Sequence, residues 1–272
     1  MFSTNKGYVR EYGVRNGPVM HTNPNLNSNA LLFSDAGQPW YSFMVYRTAG
    51  IFRSQDEINK YIYKNPETGE AKLLMPEAKV GDLIFVDTNN DGVINDDDKV
   101  FAGSYTPKNT FSFGGSFDWK GFDFSFFFQG VTGNKIYNGL KQMAMNGRSD
   151  YGNLISDVLD TWDFNPESSK YPRLGLVTGS DTNGNYTKFS DIFLEDGDYL
   201  RLKNITLGYT LPEKVCRFVG MKSGSLRVYM SVDNVCTITG YTGVDPEVGN
   251  YGIDRGVYPV TRFFNFGVNV NF

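Results

Sequence analysis

The last stretch of the chain, Thr261 to Phe272 (TRFFNFGVNVNF), restricts the fold more than any other. Side chains alternate across a β-strand. Phe264, Phe266, Val268, Val270 and Phe272 therefore share one face, and Asn265, Gly267, Asn269 and Asn271 share the other. One face is apolar; the other is small, polar and uncharged. Two environments produce this pattern. In a sandwich, the apolar side rests on a core. In a transmembrane barrel, it faces lipid while the polar side faces a lumen.

The rest of the sequence bears on that choice. Phe (22), Tyr (17) and Gly (30) are abundant in 272 residues, and aromatics make up 15% of the chain, yet the mean hydropathy is −0.36. Half-apolar strands joined by polar connections give this combination. No run of about 18 apolar residues suggests a transmembrane helix, and Met1-Phe2-Ser3-Thr4-Asn5-Lys6 does not read as a signal peptide. A net charge of −4 with scattered basic residues argues against nucleic acid. The cysteines are Cys216 and Cys236, and the one histidine is His21. A strand over Ser225–Val235 would hold the two cysteines roughly 30 Å or more apart at about 3.3 Å per residue, so both thiols are expected free and buried as small hydrophobes.

Taken in order, Gly7–Val14 reads as a strand and Asn16–Asn29 as loop. Tyr41–Ile51 reads as a strand. Gln55–Tyr63 reads as a short helix with Ser54 as N-cap and Glu57 three residues on. Asn65–Gly69 is a turn, and Leu83–Val86 a short β run. Thr110–Trp119 and Phe122–Gly130 form the clearest hairpin, closed by the two-residue turn Lys120-Gly121. Phe111, Phe113, Phe117 and Trp119 align on one face of its first strand. Phe122, Phe124, Phe126 and Phe128 align on the second, where Phe127 alone breaks the alternation. Residues 131–198 read as a long polar connection, with helix over Asp150–Trp162. Strands follow at Tyr199–Leu211 and Ser225–Val235, separated by a short connection with a helical turn at Glu213–Val219. Residues 237–259 are a Gly-rich loop before the final strand. Short and long connections thus alternate, as in a membrane barrel, where turns are short on one side and loops long on the other. Arg227 and Asp233, on the polar face of their strand, suit a watery lumen better than a dry core.

Asp87 to Asp98 (DTNNDGVINDDD) fits a twelve-residue calcium loop. Asp87, Asn89, Asp91 and Asp98 supply oxygens, Gly92 the sharp turn, Val93 a carbonyl, and Asn95 a direct or water-mediated contact. Asp stands at the last position in place of Glu, and a β run rather than a helix leads in, so the loop is not half of an EF-hand pair. Structural calcium is expected, because six carboxylates between Asp82 and Asp98 would otherwise repel one another.

Five segments together resemble SusC/RagA-type TonB-dependent outer-membrane transporters: GDLIFVDTNNDGVINDDD (81–98), FSFGGSFDWKGFDFSFFFQGVTGNKIYN (111–138), EDGDYLRLKNITLGYTLP (195–212), SLRVYMSVDNV (225–235) and 243–272. The resemblance implies an all-β antiparallel meander that is part of a large transmembrane β-barrel, with long extracellular loops and a few short helices. It divides the chain into a loop-rich segment of a truncated barrel (1–40) and a C-terminal barrel segment (41–272). It implies uptake of glycans or peptides across the outer membrane of a Gram-negative, Bacteroidetes-like bacterium, without enzymatic activity. The implied partners are a SusD-like surface lipoprotein, TonB through an N-terminal part absent here, and the outer-membrane insertion machinery, for which Phe272 resembles the terminal signal. About six to eight of the family's roughly 22 strands are expected, so the segment is expected to be inactive alone, without plug and TonB box. Phe111, Phe113, Phe117, Phe124, Phe126, Phe264, Phe266, Val268, Val270 and Phe272 are the expected lipid-facing residues.

Two other classes compete. A soluble, calcium-stabilised carbohydrate-binding or adhesive β-domain would use Trp40, Trp162, Tyr241 and Tyr251 as sugar platforms. A hydrolase would use paired carboxylates such as Glu195/Asp196 or Asp245/Glu247, for which solvated loop acids are the simpler reading.

Overall fold

In a computed structural model, which describes residues 1–11, 19–21, 31–146, 153–174, 181–218 and 224–271, the largest sheet among the described residues has six strands. They are β1 (Phe2–Thr4), β2 (Asn109–Trp119), β3 (Phe122–Thr132), β4 (Tyr199–Thr210), β5 (Ser225–Thr239) and β6 (Phe263–Asn271). Each pairs antiparallel with the next, so spatial order follows chain order. β2 and β3 have 11 residues and β4 has 12, enough to cross a bilayer at a tilt. Lys120 and Gly121, at φ 47° and 89°, make the tight turn between β2 and β3, whose twist suits a hairpin.

Antiparallel neighbours put successive connections at alternate ends. The long ones (5–108, 133–198 and 240–262) therefore leave from one end, and the short ones (120–121 and 211–224) from the other. The long connections share a buried core: Leu32, Phe43 and Val45 from the first meet Tyr137, Tyr186 and Phe193 from the second and Ile253 from the third. A second cluster, with Phe52, Ile58, Leu83 and Phe85, lies mostly within the first connection.

This body is where the sequence reading needs correction. Residues 131–198 are more than a polar connection: Lys135–Asn138 pairs antiparallel with Leu194–Asp196 and parallel with Ile253–Asp254, and Gly139–Met145 is helical. Tyr41–Ile51 is two strands, Ser42–Tyr46 and Thr48–Ile51, interrupted at Arg47. Neither belongs to the main sheet; they pair with Lys99–Ser104 and Leu83–Phe85 instead. Strand patterning gives no hint of which sheet a strand joins. The helix capped by Ser54 stops at Lys60, because Ile62–Lys64 turns into a hairpin with Ala71–Leu73. Within 150–162 the helix is a 3-10 turn, Ser156–Asp160, and residues 150–152 lie outside the described set. The strand expected at Gly7–Val14 is irregular through Glu11, with 12–14 also outside the described set; Phe2–Thr4 is the strand there. Glu213–Phe218 is helical. Both cysteines are free, but Cys236 is exposed: it lies on the apolar face of β5 opposite Leu202, which no described residue covers.

Candidate functional site

The alternation of each strand builds the two faces of the main sheet. On one, apolar residues meet across every pair: Phe117 opposite Phe124, Phe124 opposite Leu207, Leu207 opposite Met230, Met230 opposite Phe266. A parallel row runs through Phe126, Ile205, Val232 and Phe264. Phe117 is 62% exposed and Phe266 is 76% exposed, far beyond what a protein layer would leave. Phe113, Phe124, Phe264, Val268 and Val270 are exposed as well. Phe111 and Phe126 are half-buried, their rings lying over Gly130 and Gly115. Phe272 is outside the described residues. At the tight-turn end Trp119, Phe122 and Tyr209 line up, the last two with ring centroids 4.4 Å apart.

The opposite face is polar and closely fitted. Arg227 on β5 reaches over Gly208 on β4 to Asp123 on β3, donating from Nε to Oδ1 at 2.8 Å. Asp233 accepts from Asn204 at 2.6 Å and from Asn265 at 3.0 Å, linking three strands. Phe127 does point to this face, and the β3–β4 register shifts beside it.

At the long-connection end a buried ion cluster closes the polar face. Arg201, 2% exposed, donates to Asp245 at 2.6 Å and Glu247 at 3.0 Å. Lys203 and the Tyr199 hydroxyl also reach Glu247. Burial pushes the Asp245 carboxyl up, but the Glu247 and Val260 backbone N–H groups and the Arg201 guanidinium outweigh it and hold it below the usual range. Glu195 accepts from the Thr242 backbone and hydroxyl and from Asn138, and Asp196 pairs with Lys135. Both carboxylate pairs considered for hydrolysis are thus fastened to the fold. Alternation counted back from Ile205 would put Arg201 on the apolar face; the register shift between Leu202 and Asn204 turns it to the polar one, and its partners in 240–262 could not be read from spacing.

The acidic loop sits in the first long connection, at the same end. Its turn has the expected form: Gly92 has φ 81°, and the Asp87 carboxylate accepts from Gly92 N at 2.8 Å. Asn89 accepts from Asp91 N at 3.0 Å, and Asp91 from Val93 N at 2.8 Å. Asp98 is fully buried, and its two oxygens accept from Thr88 N and Asn95 N, both at 2.8 Å. Asn95 caps Asp97 N at 2.7 Å. Asp96 is paired with Lys99 and the Tyr46 hydroxyl, which hold its carboxyl below the usual range. Among the described residues no three His, Cys, Asp or Glu side chains converge as metal ligands. Asp87, Asn89 and Asp91 use their side-chain oxygens to accept hydrogen bonds within the turn, while Asp98 acts as a clip between the loop's ends.

Of the aromatics considered as sugar platforms, Tyr241 is buried with its hydroxyl on Asp254, and Trp162 carries Arg53 over its ring. Trp40 and Tyr251 remain exposed, in a pile that also holds Tyr41 and Tyr105.

No family model matches the chain. It is 31% identical over 235 residues to TonB-dependent receptor P26 of Formosa agariphila, covering 82% of this chain and 22% of that protein. It is 30% identical over 189 residues to TonB-dependent receptor SusC of Bacteroides thetaiotaomicron, covering 70% of this chain and 17% of SusC. Among solved structures it superimposes on the RagAB peptide transporter with a TM-score of 0.71 at 23% identity, over 100% of this chain and 26% of that one. The chain spans about a fifth of the length of the curated relatives it matches.

Proposed function

Since the chain is a homologue of the SusC-type TonB-dependent receptors and carries a portion of their barrel, we propose that it forms part of the wall of an outer-membrane uptake barrel. The observation that carries this reading is the bare apolar face running unbroken from β2 to β6, backed by a polar face with ion pairs. In water that face is costly. Against hydrocarbon it is favourable, and the polar side then lines a lumen. The row Trp119, Phe122 and Tyr209 suits the interfacial aromatic girdle at the short-turn side. The body of long connections, with the acidic loop, then stands on the extracellular side.

The sheet has open edges at β1 and β6, and backbone groups in lipid must be paired. Further strands are needed to close a barrel, so the segment supplies wall and not a complete path. The cargo is a glycan or a peptide. TonB supplies the energy through a plug-bearing part, a SusD-like surface lipoprotein covers the long-connection side, and the outer-membrane insertion machinery reads the final strand and Phe272. Calcium binds the acidic loop structurally, through Asp87, Asn89, Asp91, the Val93 carbonyl and Asn95, with Asp98 closing the loop; the hydrogen-bonded turn at Gly92 supports this.

Reconstitution into vesicles tests the central reading. Brominated lipids quench the fluorescence of Trp119 on the wall but leave Trp40 and Trp162, in the long connections, unquenched. A chain that stays monomeric in buffer without detergent, with Trp119 unquenched, favours the soluble-domain alternative.

A further inference from the structure

The short connection at 211–224 carries an apolar surface that nothing above uses. Its helix, Glu213–Phe218, begins just beyond β4. Cys216 is the buried residue of that helix, and its thiol donates to the Leu211 carbonyl at 3.7 Å. The Val215 and Cys216 N–H groups donate to the Pro212 carbonyl at 2.9 and 3.2 Å. The helix is thereby pinned to the end of the sheet.

Leu211 belongs to the last apolar row of the wall. Its N–H donates to the Leu226 carbonyl at 2.8 Å, and Leu226 stands opposite Val270. The row Leu211, Leu226 and Val270 follows Tyr209, Val228 and Val268 on the bare apolar face.

The helix extends that surface onto a second element. At about 3.6 residues per turn, Val215 and Phe218 fall on one side of its axis, and Glu213 and Arg217 on the other. Phe218 is 91% exposed, and Val215 is exposed as well. Glu213 and Arg217 pair with each other. Lys214, exposed, stands between the two sides and forms no ion pair among the described residues. An apolar side, a flanking cation and a polar side together suit a helix lying flat at a membrane surface.

Its level along the wall agrees. Trp119, Phe122 and Tyr209 line up at the same end of the sheet, as an interfacial girdle does. A helix that starts just past Leu211 therefore stands at the depth of the lipid headgroups. An aromatic ring and a lysine with an apolar stem are both favourable there.

We propose that Glu213–Phe218 lies in the phospholipid headgroup layer on the short-turn side, with Phe218 and Val215 directed to the acyl chains and the Lys214 ammonium on lipid phosphate oxygens. The occupant of this helix face is the membrane itself, because the face is continuous with the bare apolar wall and its one unpaired cation complements lipid phosphate. The inference rests on the barrel-wall reading and adds a device that fixes the depth of the wall.

The test uses the full chain in vesicles of phosphatidylcholine with a minor share of phosphatidylglycerol, with and without brominated acyl chains. Trp119→Phe removes the ring quenched on the wall and leaves Trp40 and Trp162 in the long connections. Adding Phe218→Trp to that variant is expected to restore quenching by brominated lipid. The emission gained is expected to be at least threefold less sensitive to aqueous iodide than in the same variant unfolded in urea. Lys214→Glu, added in turn, is expected to lower the lipid quenching at position 218 at least twofold. In the wild-type background Lys214→Glu leaves Trp119 quenched, which shows that the wall is still inserted.

Emission at position 218 that iodide quenches freely and brominated lipid does not overturns the proposal, and leaves the helix face to solvent or to a protein partner. Lipid quenching indifferent to Lys214→Glu overturns the phosphate contact. The wild-type Trp119 measurement is independent. Trp119 quenched with position 218 in water removes the helix proposal and leaves the barrel; position 218 quenched with Trp119 in water removes the barrel.

Discussion

Arg227 and Asp123 bond to each other although the strand between them separates β5 from β3, because Gly208 on β4 has no side chain to stand in the way. A Cβ on Gly208 would collide with Asp123 Oδ1 and Arg227 Nη2. Gly208→Ala should therefore part the pair and destabilise the sheet by about 1–2 kcal/mol. In an Asp123→Ala background the same change should cost clearly less. Urea unfolding in vesicles measures both; equal costs in the two backgrounds mean the fit over Gly208 is irrelevant.

Phe266 and Asn269 lie on opposite faces of β6, next to Met230 and Arg227 respectively. Phe266→Lys should destabilise the inserted sheet by about 2–4 kcal/mol, and Asn269→Lys by less than about 1 kcal/mol. Vesicle unfolding midpoints give the comparison, and the opposite ranking contradicts a lipid-facing Phe266.

Arg201 ties the third long connection to β4. Arg201→Ala leaves Asp245 buried without its cation and should cost about 3–5 kcal/mol. Limited proteolysis should then cut within 240–249 well before the wild-type chain is cut there.

The same clamp makes the segment acid-sensitive. Asp245 has a carboxyl pKa below its ordinary value in the folded chain. Its contribution is therefore present above the unfolded pKa of about 3.9 and is lost as pH falls through the depressed folded value. Protection of 240–249 against an acid-stable protease should be constant from pH 7 to about 5 and decline on the acid side of about 4. Asp245→Asn should flatten that dependence.

If calcium fills the acidic loop, adding it should raise the thermal midpoint, by an amount corresponding to about 2.7 kcal/mol at a hundred times the dissociation constant. Asp91→Ala should abolish the rise while leaving the chelator-treated midpoint nearly unchanged. A midpoint indifferent to calcium leaves the loop as a turn whose charge is relieved by Lys99.

The main-sheet strands from β2 onward were legible because their two faces meet different media. Phe111 to Trp119, Phe122 to Phe128, and Phe264 to Val270 alternate with a period of two, and that pattern survives whatever the strand pairs with. The turn at Lys120-Gly121 and the cap at Ser54 were legible for the same reason: both are decided within four residues. Cys236 and Phe127 were harder, since their surroundings depend on a register shift or on what lies beyond the sheet.

Alternation and connection length, both local properties, were enough to establish strands with a greasy side, a wet side and unequal ends. Which segments share a core was settled only in three dimensions. Strands such as Ser42–Tyr46 and Lys135–Asn138 leave the main sheet and find partners far along the chain, and Arg201 finds acids more than forty residues away. Such encounters depend on antiparallel order gathering three distant connections at one end, and no residue spacing encodes that proximity.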